Sequence, residues 1–219
     1  EHGSPLFPLQ GAMDADLVAE ILAGRLRPYL GDHPGVRART ERLRAIRERR
    51  YPPARSRMPN YCSGCPHNTS TVLLPGQVAW GSPGCHSFAS IIEQPHRHIV
   101  AMTQYGGEGL PWVGLEPFVD QPHMVQNVGD GSLFHSSYPN IRFSASVGAN
   151  ITFRILYNGY IANTGAQRPV GQVGIPELTR MLELDGVQKI ALVTKDPLRY
   201  RNAGLARNVT VYPAHEHER

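Results

Sequence analysis

Three cysteines lie in a pattern that suits a bound metal or an iron–sulfur cluster. Cys62 and Cys65 form a Cys-x-x-Cys motif, and Cys85 follows in a Gly-Cys-His sequence. Thiolates at this spacing hold iron–sulfur clusters or zinc. The residues alone leave both open, because His67 or His86 could complete a tetrahedral zinc site. The odd number of cysteines and the absence of a visible secretory signal argue against a disulfide framework.

A second candidate site centres on Asp130, within the sequence Gly129-Asp130-Gly131-Ser132. Taken alone, a glycine-flanked aspartate is a common turn. This aspartate, however, follows a predicted strand and precedes a predicted helix, and parallel α/β sheets bind their ligands at that edge. The free N–H groups of a helix N-terminus attract phosphate. Ser132 could cap this helix or contact a phosphate oxygen.

Asn158 supplies the second half of this site. It comes 28 residues after Asp130, at the end of the next predicted strand. A crossover of that length places neighbouring strand ends side by side, so that a carboxylate and an amide oxygen converge, with the carbonyl of Tyr160 nearby. Mg²⁺ prefers such oxygen ligands and completes its shell with phosphates and water. The pattern therefore predicts Mg²⁺ bridging a diphosphate to the protein.

Hydrophobic periodicity predicts the elements that position these residues. Strands are expected at about 98–103, 123–128, 151–157, 189–194 and 208–212, and helices at about 14–26, 36–50, 87–92, 132–148 and 176–184. Alternating strands and helices imply parallel pairing and an α/β layer fold. Pro139 should kink or divide its helix. The strand at 189–194 is apolar on both faces and is expected to be buried.

Charge is concentrated near the N-terminus. The net charge is +4, yet nine arginines lie between Val36 and Arg57 against Glu41 and Glu48. Such a segment could contact nucleic acid, but Tyr51 is its only aromatic residue, so we favour a solvated helix that docks on an acidic protein surface. Within the predicted second helix, only Val36, Leu43 and Ile46 are available for burial.

The remaining composition bounds the class of protein. Hydrophobic residues make up 41% of the chain, which is enough for a core, but no run of about 18 apolar residues could cross a membrane. No signal peptide is visible, so we expect a cytoplasmic location. Because the first residue is Glu, we suspect a piece of a longer chain.

Several motifs together resemble one enzyme family. The Gly-Asp-Gly followed by Asn158 is similar to the thiamine diphosphate signature, and residues 163–167, Asn-Thr-Gly-Ala-Gln, look like the NTGGQ of 2-oxoacid:ferredoxin oxidoreductases. Ala166 replaces a glycine, at a position that could require a positive φ. With CSGCPHNTST, the later GCH, TQYGGEG and NVGDGSLFHS, residues from about 61 to 200 resemble the thiamine-diphosphate-binding segment of indolepyruvate ferredoxin oxidoreductase, in its long fused bacterial form.

The resemblance implies a fold, a reaction and cofactors. The fold would be a parallel-sheet α/β fold of the thiamine-diphosphate-binding type at residues 61–219, with an N-terminal, Arg-rich helical arm at residues 1–60. The reaction would be oxidative decarboxylation of a 2-oxoacid, an arylpyruvate such as indolepyruvate, to its acyl-coenzyme A. The cofactors would be thiamine diphosphate, Mg²⁺ and a [4Fe–4S] cluster that passes electrons to ferredoxin. In this family the protein supplies position and electrostatics, and the cofactor supplies the chemistry.

The resemblance also implies roles for particular residues. His67 would lie near the reactive carbon, and Asn163 would face the substrate or the aminopyrimidine. The cofactor-binding set is Gly129, Asp130, Gly131, Ser132, Asn158, Tyr160 and Thr164, with Mg²⁺ on Asp130, Asn158 and Tyr160, and the cluster on Cys62, Cys65 and Cys85. A fourth cluster cysteine normally follows later, and none follows Cys85 here. Glu108, within TQYGGEG, could belong to the site or be an uninformative exposed carboxylate.

Partners follow from the same resemblance. We expect a 2-oxoacid substrate, coenzyme A and ferredoxin, a dimer, and a pyrimidine-binding domain from the parent chain or another subunit, with no membrane contact and no nucleic acid. Two alternatives from other classes stay open. One is a non-oxidative thiamine diphosphate decarboxylase, which would have no use for the cysteines. The other is a zinc-stabilised nucleic-acid-binding module, which would leave the spacing of Asp130 and Asn158 unexplained.

Overall fold

The chain folds into two compact units, Glu1–Arg57 and Met58–Arg219. The structure, a computed structural model, describes residues 5–11, 13–49, 58–92 and 99–218. Arg50, Arg55 and Arg57 of the basic segment, together with Tyr51 and the first residue of the strand expected at 98–103, lie outside these ranges. Within them, no helix is both long and apolar enough to cross a membrane. The boundary between residues 60 and 61, drawn from sequence, stays a prediction.

The first unit contains two helices, α1 (Ala15–Leu30) and α2 (Pro34–Glu48). The carboxylate of Asp14 caps α1 by accepting a hydrogen bond of 2.7 Å from Leu17 N. Arg44 and Arg47 of α2 pair with Glu20 of α1, at 3.6 and 3.0 Å. Of the three apolar residues of α2 available for burial, only Leu43 is buried, and Val36 and Ile46 are about half exposed. A single packed helix covers only a narrow stripe of its neighbour.

The second unit contains a four-stranded, fully parallel sheet in the order β2-β1-β3-β4. Its strands are β1 (Val78–Gly81), β2 (Ile99–Met102), β3 (Met124–Gly129) and β4 (Ile151–Leu156). The α/β class expected from the sequence is therefore confirmed. The sequence prediction missed β1, an inner strand of this sheet, since it is only four residues long and lies among Gly and Pro residues.

Helices of the second unit follow the strands. They are α3 (His67–Ser70), α4 (Leu110–Leu115), α5 (Asp130–Ser132), α6 (Tyr138–Ser146) and α7 (Ile175–Leu184). A π-helical turn, Leu133–Ser137, joins α5 to α6, and Pro139 occupies the first turn of α6, so the expected long helix is divided. Short 3₁₀ segments cover Cys85–Ser90, Glu116–Phe118, Ala162–Thr164, Pro197–Tyr200 and Ala214–Glu218.

Two apolar clusters hold this unit together. The larger one contains Val128, Leu133, Ile141, Leu178 and Leu182, from β3, the π-helical turn, α6 and α7. The smaller one contains Leu73, Ala79 and Val125, packed against Ile99. Val125 and Val128 lie at odd and even positions of β3 and therefore on opposite faces of the sheet. Both faces of β3 are therefore covered, as expected of an inner strand of a parallel sheet.

The last two strands differ from the sequence prediction. β5 (Ile190–Thr194) and β6 (Val209–Pro213) pair with each other in parallel and form a separate two-stranded sheet. β5 was expected to be buried on both faces, but Ala191 and Val193 are exposed. Its alternate residues pack while the others face outwards, because a two-stranded ribbon offers cover on one face only.

Candidate functional site

The parallel sheet brings four loops to one edge. Because all four strands run in the same direction, the segments after Gly81, Met102, Gly129 and Leu156 begin at the same end of the sheet. The pairing of Gly129 with Leu156 places the residues after β3 directly beside those after β4. These loops contain Cys85, Glu108, Asp130 and Asn158, respectively. This edge is where parallel α/β sheets bind ligands.

Asp130 lies at the centre of this edge and is 3% exposed. Its Oδ2 accepts hydrogen bonds from Asn158 N at 2.9 Å and Gly159 N at 2.5 Å. Burial raises the pKa of Asp130 above its ordinary value, and three backbone N–H groups (of Gly159, of Asp130 itself and of Asn158) and the charge of His67 oppose that rise only in part. The site therefore holds a carboxylate whose negative charge is incompletely compensated, which is the electrostatic condition under which a cation binds.

The turn after β4 is shaped around this carboxylate. Asn158 Oδ1 accepts a hydrogen bond of 2.8 Å from Tyr160 N. Gly159 has a φ of +84°, a conformation that favours glycine, and this directs its N–H to Asp130. The adjacency of Asp130 and Asn158 expected from the strand order is thus present. One carboxylate and one amide oxygen at neighbouring strand ends, with the Tyr160 carbonyl close in sequence, form a donor set that fits Mg²⁺.

The two glycines that flank Asp130 differ in the room they leave for a side chain. A Cβ on Gly131 would lie 3.1 Å from two carbon atoms of Ile161, in the loop after β4. A Cβ on Gly129 would lie 3.9 Å from Cε1 of His86, which is ordinary contact. Glycine at residue 131 therefore allows the loop after β4 to approach the start of α5, and Gly129 needs no such explanation.

Ser132 does not cap the helix that it helps to begin. Its side chain is 1% exposed, and its hydroxyl donates a hydrogen bond to Glu108 Oε1. Glu108, for which an exposed loop position was one expectation, is instead completely buried. Of the two roles considered for Ser132, helix capping is not observed, because its hydroxyl bonds the buried carboxylate of Glu108 instead. Contact of Ser132 with a phosphate oxygen stays a prediction.

The cysteine segment, which runs from Tyr61 to His86 and contains Cys62, Cys65 and Cys85, lies within electrostatic range of Asp130. Burial raises the pKa of the Cys85 thiol, and the negative charges of Cys65, Cys62 and Asp130 raise it further. All three cysteines are free thiols; Cys62 is exposed and the other two are partly exposed. Among the described residues, however, no group of three or more Cys, His, Asp and Glu side chains is arranged to hold a metal ion. The iron–sulfur cluster thus stays a prediction, based on three free thiols that are exposed or partly exposed.

Tyr61 holds the two parts of the cysteine segment together. Its hydroxyl contacts Thr71 Oγ1 at 3.1 Å and donates to the carbonyl of His86 at 3.4 Å. Its ring packs edge-on against His67 and Phe88. Because Tyr61 precedes Cys62 and His86 follows Cys85, this single buried side chain links the Cys-x-x-Cys motif to the third cysteine.

The two nearby histidines differ in their surroundings. Burial lowers the pKa of His67, and the charge of Asp130 opposes that shift, so His67 and Asp130 lie within electrostatic range. Burial lowers the pKa of His86 to about 4, and its Nε2 accepts a hydrogen bond of 3.1 Å from Ser82 N. His86 is therefore a neutral core residue whose Nε2 is occupied, which weakens the zinc alternative.

The loop after β4 continues with the segment that resembles NTGGQ. The backbone of Ile161 and Gln167 closes this loop by a hydrogen bond of 2.8 Å, and Thr164 Oγ1 bonds Gln167 Oε1 at 2.9 Å. Ala166 has a φ of +62°, so the left-handed conformation is kept without glycine. The Asn163 amide donates to the hydroxyl of Tyr105 at 3.2 Å, and both side chains are exposed. Asn163 therefore faces outwards at the same edge as Asp130.

Sequence reasoning missed several residues of this edge. Tyr105, Ser137 and Asn140 were not singled out, and Glu108 was left undecided. Each has its partners in another loop, at a sequence separation of 29 to 58 residues. The glycines around Glu108 were a usable signal, since a Gly-rich turn after a strand often approaches a ligand closely.

Comparisons with known proteins support the fold. No family model matches this chain, and no curated protein matches it. Among solved structures, the 2-oxoglutarate:ferredoxin oxidoreductase from Magnetococcus marinus, with 2-oxoglutarate, coenzyme A and succinyl-CoA bound, superposes with a TM-score of 0.50 at 15% identity. The superposition covers 72% of this chain and 64% of that one. The chain is thus similar in fold to a 2-oxoacid:ferredoxin oxidoreductase, consistent with an α/β fold of the thiamine-diphosphate-binding type.

Proposed function

We propose that this chain supplies the diphosphate side of a thiamine diphosphate site in a 2-oxoacid:ferredoxin oxidoreductase. The carrying observation is the buried Asp130 carboxylate beside Asn158, at the ends of neighbouring parallel strands. In this proposal, Asp130, Asn158 and the Tyr160 carbonyl hold Mg²⁺. Gly129, Gly131, Ser132 and Thr164 border the cofactor. The fold likeness and the motif resemblance support the proposal independently of that geometry.

The proposed reaction is oxidative decarboxylation of a 2-oxoacid. Thiamine diphosphate, when bound, supplies the carbon that attacks the ketone. His67 and Asn163 are the groups of this chain proposed to lie closest to the substrate. His67 lies within electrostatic range of Asp130, and Asn163 is exposed at the same edge. Indolepyruvate or another arylpyruvate is the proposed substrate, and this choice rests on the motif resemblance alone.

The cysteines favour an oxidative enzyme over a simple decarboxylase. Cys62, Cys65 and Cys85 are proposed to hold a [4Fe–4S] cluster that transfers electrons to ferredoxin while coenzyme A accepts the acyl group. Cys85 lies within electrostatic range of Asp130, so the cluster would be close to the cofactor. A decarboxylase that transfers no electrons would not need an iron–sulfur cluster close to the cofactor. A further domain or subunit of a cytoplasmic, dimeric enzyme would supply the pyrimidine side and a fourth cluster ligand.

The test is calorimetric titration of thiamine diphosphate with Mg²⁺ into anaerobically purified protein, with the pyrimidine-side domain or subunit present. Wild-type protein and Asp130→Asn are compared, with Asp196→Asn, in an exposed turn, as the matched control. We expect Mg²⁺-dependent binding that Asp130→Asn abolishes and Asp196→Asn preserves. The same samples should contain iron and acid-labile sulfide rather than zinc. Binding that is indifferent to Asp130, or absent from the complete assembly, would contradict the proposal.

A further inference from the structure

Glu108 is a buried carboxylate to which the proposed function gives no role. It lies in the loop Thr103–Gly109 after β2 and is completely buried. Its carboxylate accepts hydrogen bonds from Gly106 N at 2.8 Å, from Ser137 Oγ at 2.6 Å and from Ser132 Oγ. Among the residues that the structure describes, no Lys or Arg forms an ion pair with it. Its hydrogen-bond partners among the described residues are therefore neutral donors.

Two of these donors come from the segment that follows Asp130. Ser132 ends α5, Ser137 ends the π-helical turn, and their hydroxyl oxygens are 2.7 Å apart. In a regular α-helix, residues five apart point about 140° away from each other. The π-helical turn, in which Tyr138 N bonds the carbonyl of Leu133, stacks residues five apart instead. This local widening lets both serines reach one carboxylate.

The loop around Glu108 has further anchors on the same elements. Asn140 of α6 donates through Nδ2 to the carbonyls of Gly106 and Glu108, at 3.0 and 3.1 Å. Gln126 of β3 accepts a hydrogen bond of 3.0 Å from Gly109 N. These contacts link the loop after β2 to β3, which ends just before Asp130, and to α6, which follows the π-helical turn. The loop is therefore fixed to the turn rather than to its own strand alone.

The outer side of this loop faces the exposed edge of the site. Tyr105 accepts a hydrogen bond from Asn163 and packs against His135, with ring centroids 6.3 Å apart. His135 lies between the two serines in sequence. The Glu108 network on the buried side and the Tyr105–His135 contact on the exposed side thus join the same two segments, and the Tyr105–Asn163 contact adds the loop after β4. A shift of the loop Thr103–Gly109 would therefore move the turn after Asp130, and a shift of that turn would move the loop.

We propose that Glu108 is a positioning residue, which locks the loop Thr103–Gly109 to the turn after Asp130 so that both contact the cofactor as one unit. This inference rests on the proposed function and extends it to two loops. A merely structural carboxylate would contribute to stability without affecting cofactor binding. A positioning carboxylate affects binding even where the fold survives.

The test uses two buried serines of the same helical run. Ser137→Ala removes a donor to Glu108 and leaves Asp130 and its neighbours intact. Ser144→Ala is the matched control, because Ser144 is equally buried and its hydroxyl has no hydrogen-bond partner among the described residues. Glu108→Gln is the conservative second variant. All are compared by titration with thiamine diphosphate and Mg²⁺, by thermal unfolding, and by hydrogen exchange of residues 103–109 and 130–137.

We expect Ser137→Ala and Glu108→Gln to weaken thiamine diphosphate binding about tenfold, the equivalent of one lost hydrogen bond, while Ser144→Ala binds as wild type does. Wild-type affinity in Ser137→Ala and Glu108→Gln, together with a lower melting temperature, would make Glu108 structural and overturn the proposal.

Hydrogen exchange separates this inference from the proposed function. If wild-type protein itself binds no thiamine diphosphate, the proposed function fails, and the cofactor part of this inference fails with it. The coupling of the two loops is decided by exchange in the same samples. Faster exchange in residues 103–109 as well as 130–137 of Ser137→Ala would support it. Faster exchange confined to residues 130–137 would overturn it.

Discussion

The Asp130 carboxylate should destabilise the protein in the absence of metal, although it accepts two backbone hydrogen bonds. Burial raises its pKa despite those bonds, so the free energy lost when the ionised carboxylate leaves water exceeds what its hydrogen bonds restore. In Asp130→Asn the amide oxygen can still accept from Asn158 N and Gly159 N, while the charge is gone. In Asp130→Ala both N–H groups lose their acceptor. The two variants therefore separate the charge from the hydrogen bonds.

The expected magnitude follows from the two orphaned donors. An N–H group left without an acceptor costs about 1–3 kcal/mol when it is buried. Asn158 is exposed and Gly159 partly exposed, so water can replace part of the lost bonding, and Asp130→Ala should be about 1–3 kcal/mol less stable than Asp130→Asn. In metal-free buffer, Asp130→Asn should be at least as stable as wild type. With Mg²⁺ and thiamine diphosphate present, wild type should become more stable than Asp130→Asn, because only wild type binds these ligands and binding stabilises the folded state.

Urea-induced unfolding measures this difference. Trp80 in β1 and Trp112 in α4 report on the unit that contains Asp130, so tryptophan fluorescence follows the relevant transition. Hydrogen exchange of the amides of Asn158 and Gly159 provides the local readout. Asp196→Ala is the control, because that exposed carboxylate has a single backbone partner, Arg199 N. Equal stability of Asp130→Ala and Asp130→Asn would refute the reasoning about the two donors.

Two further predictions concern other parts of the chain. Ala166→Gly should stabilise the protein by up to about 1 kcal/mol in urea unfolding, because glycine adopts the left-handed φ of this position without the strain of an alanine side chain. The control Ala162→Gly should not stabilise the protein. A lower stability of Ala166→Gly than of wild type would contradict the left-handed backbone at residue 166. Burial lowers the pKa of His123, so the unfolded state binds more protons and stability falls as pH drops below about 6.5. His123→Gln should make the loss of stability between pH 7 and pH 5 smaller than in wild type, because the variant has no imidazole whose protonation opposes folding; an unchanged pH dependence would contradict this.

The adjacency of Asp130 and Asn158 could be predicted because it depends on topology alone. Two neighbouring parallel strands joined by a helix must end at the same edge, whatever fills the core. Residue type then supplies the chemistry, since a carboxylate and an amide offer oxygen ligands. The strands β3 and β4 were found for a related reason. Each is six residues long and has enough apolar or β-branched residues to give a local signal.

The position of β1 and the exposure of β5 could not be predicted from local pattern. β1 has four residues, too few for a periodicity to emerge among its Gly and Pro neighbours. β5 is apolar on both faces, and its sequence fits a buried strand as well as a ribbon edge. Only the pairing partner decides between these, and β5 pairs with β6 rather than with β4. Strand pairing is a long-range property that neither strand encodes by itself.

Glu108 shows the same limit within the site. A carboxylate in a Gly-rich loop is exposed unless donors surround it, and burying it without donors would be prohibitive. Its side-chain donors come from Ser132 and Ser137, 24 and 29 residues later, and they converge only because a π-helical turn precedes Pro139. A ligand residue can thus be identified from its type and from the spacing of motifs along the sequence. The orientation of the loops around it depends on buried hydrogen bonds between distant segments, so variants of Ser137 test the site more selectively than variants of Asp130 itself.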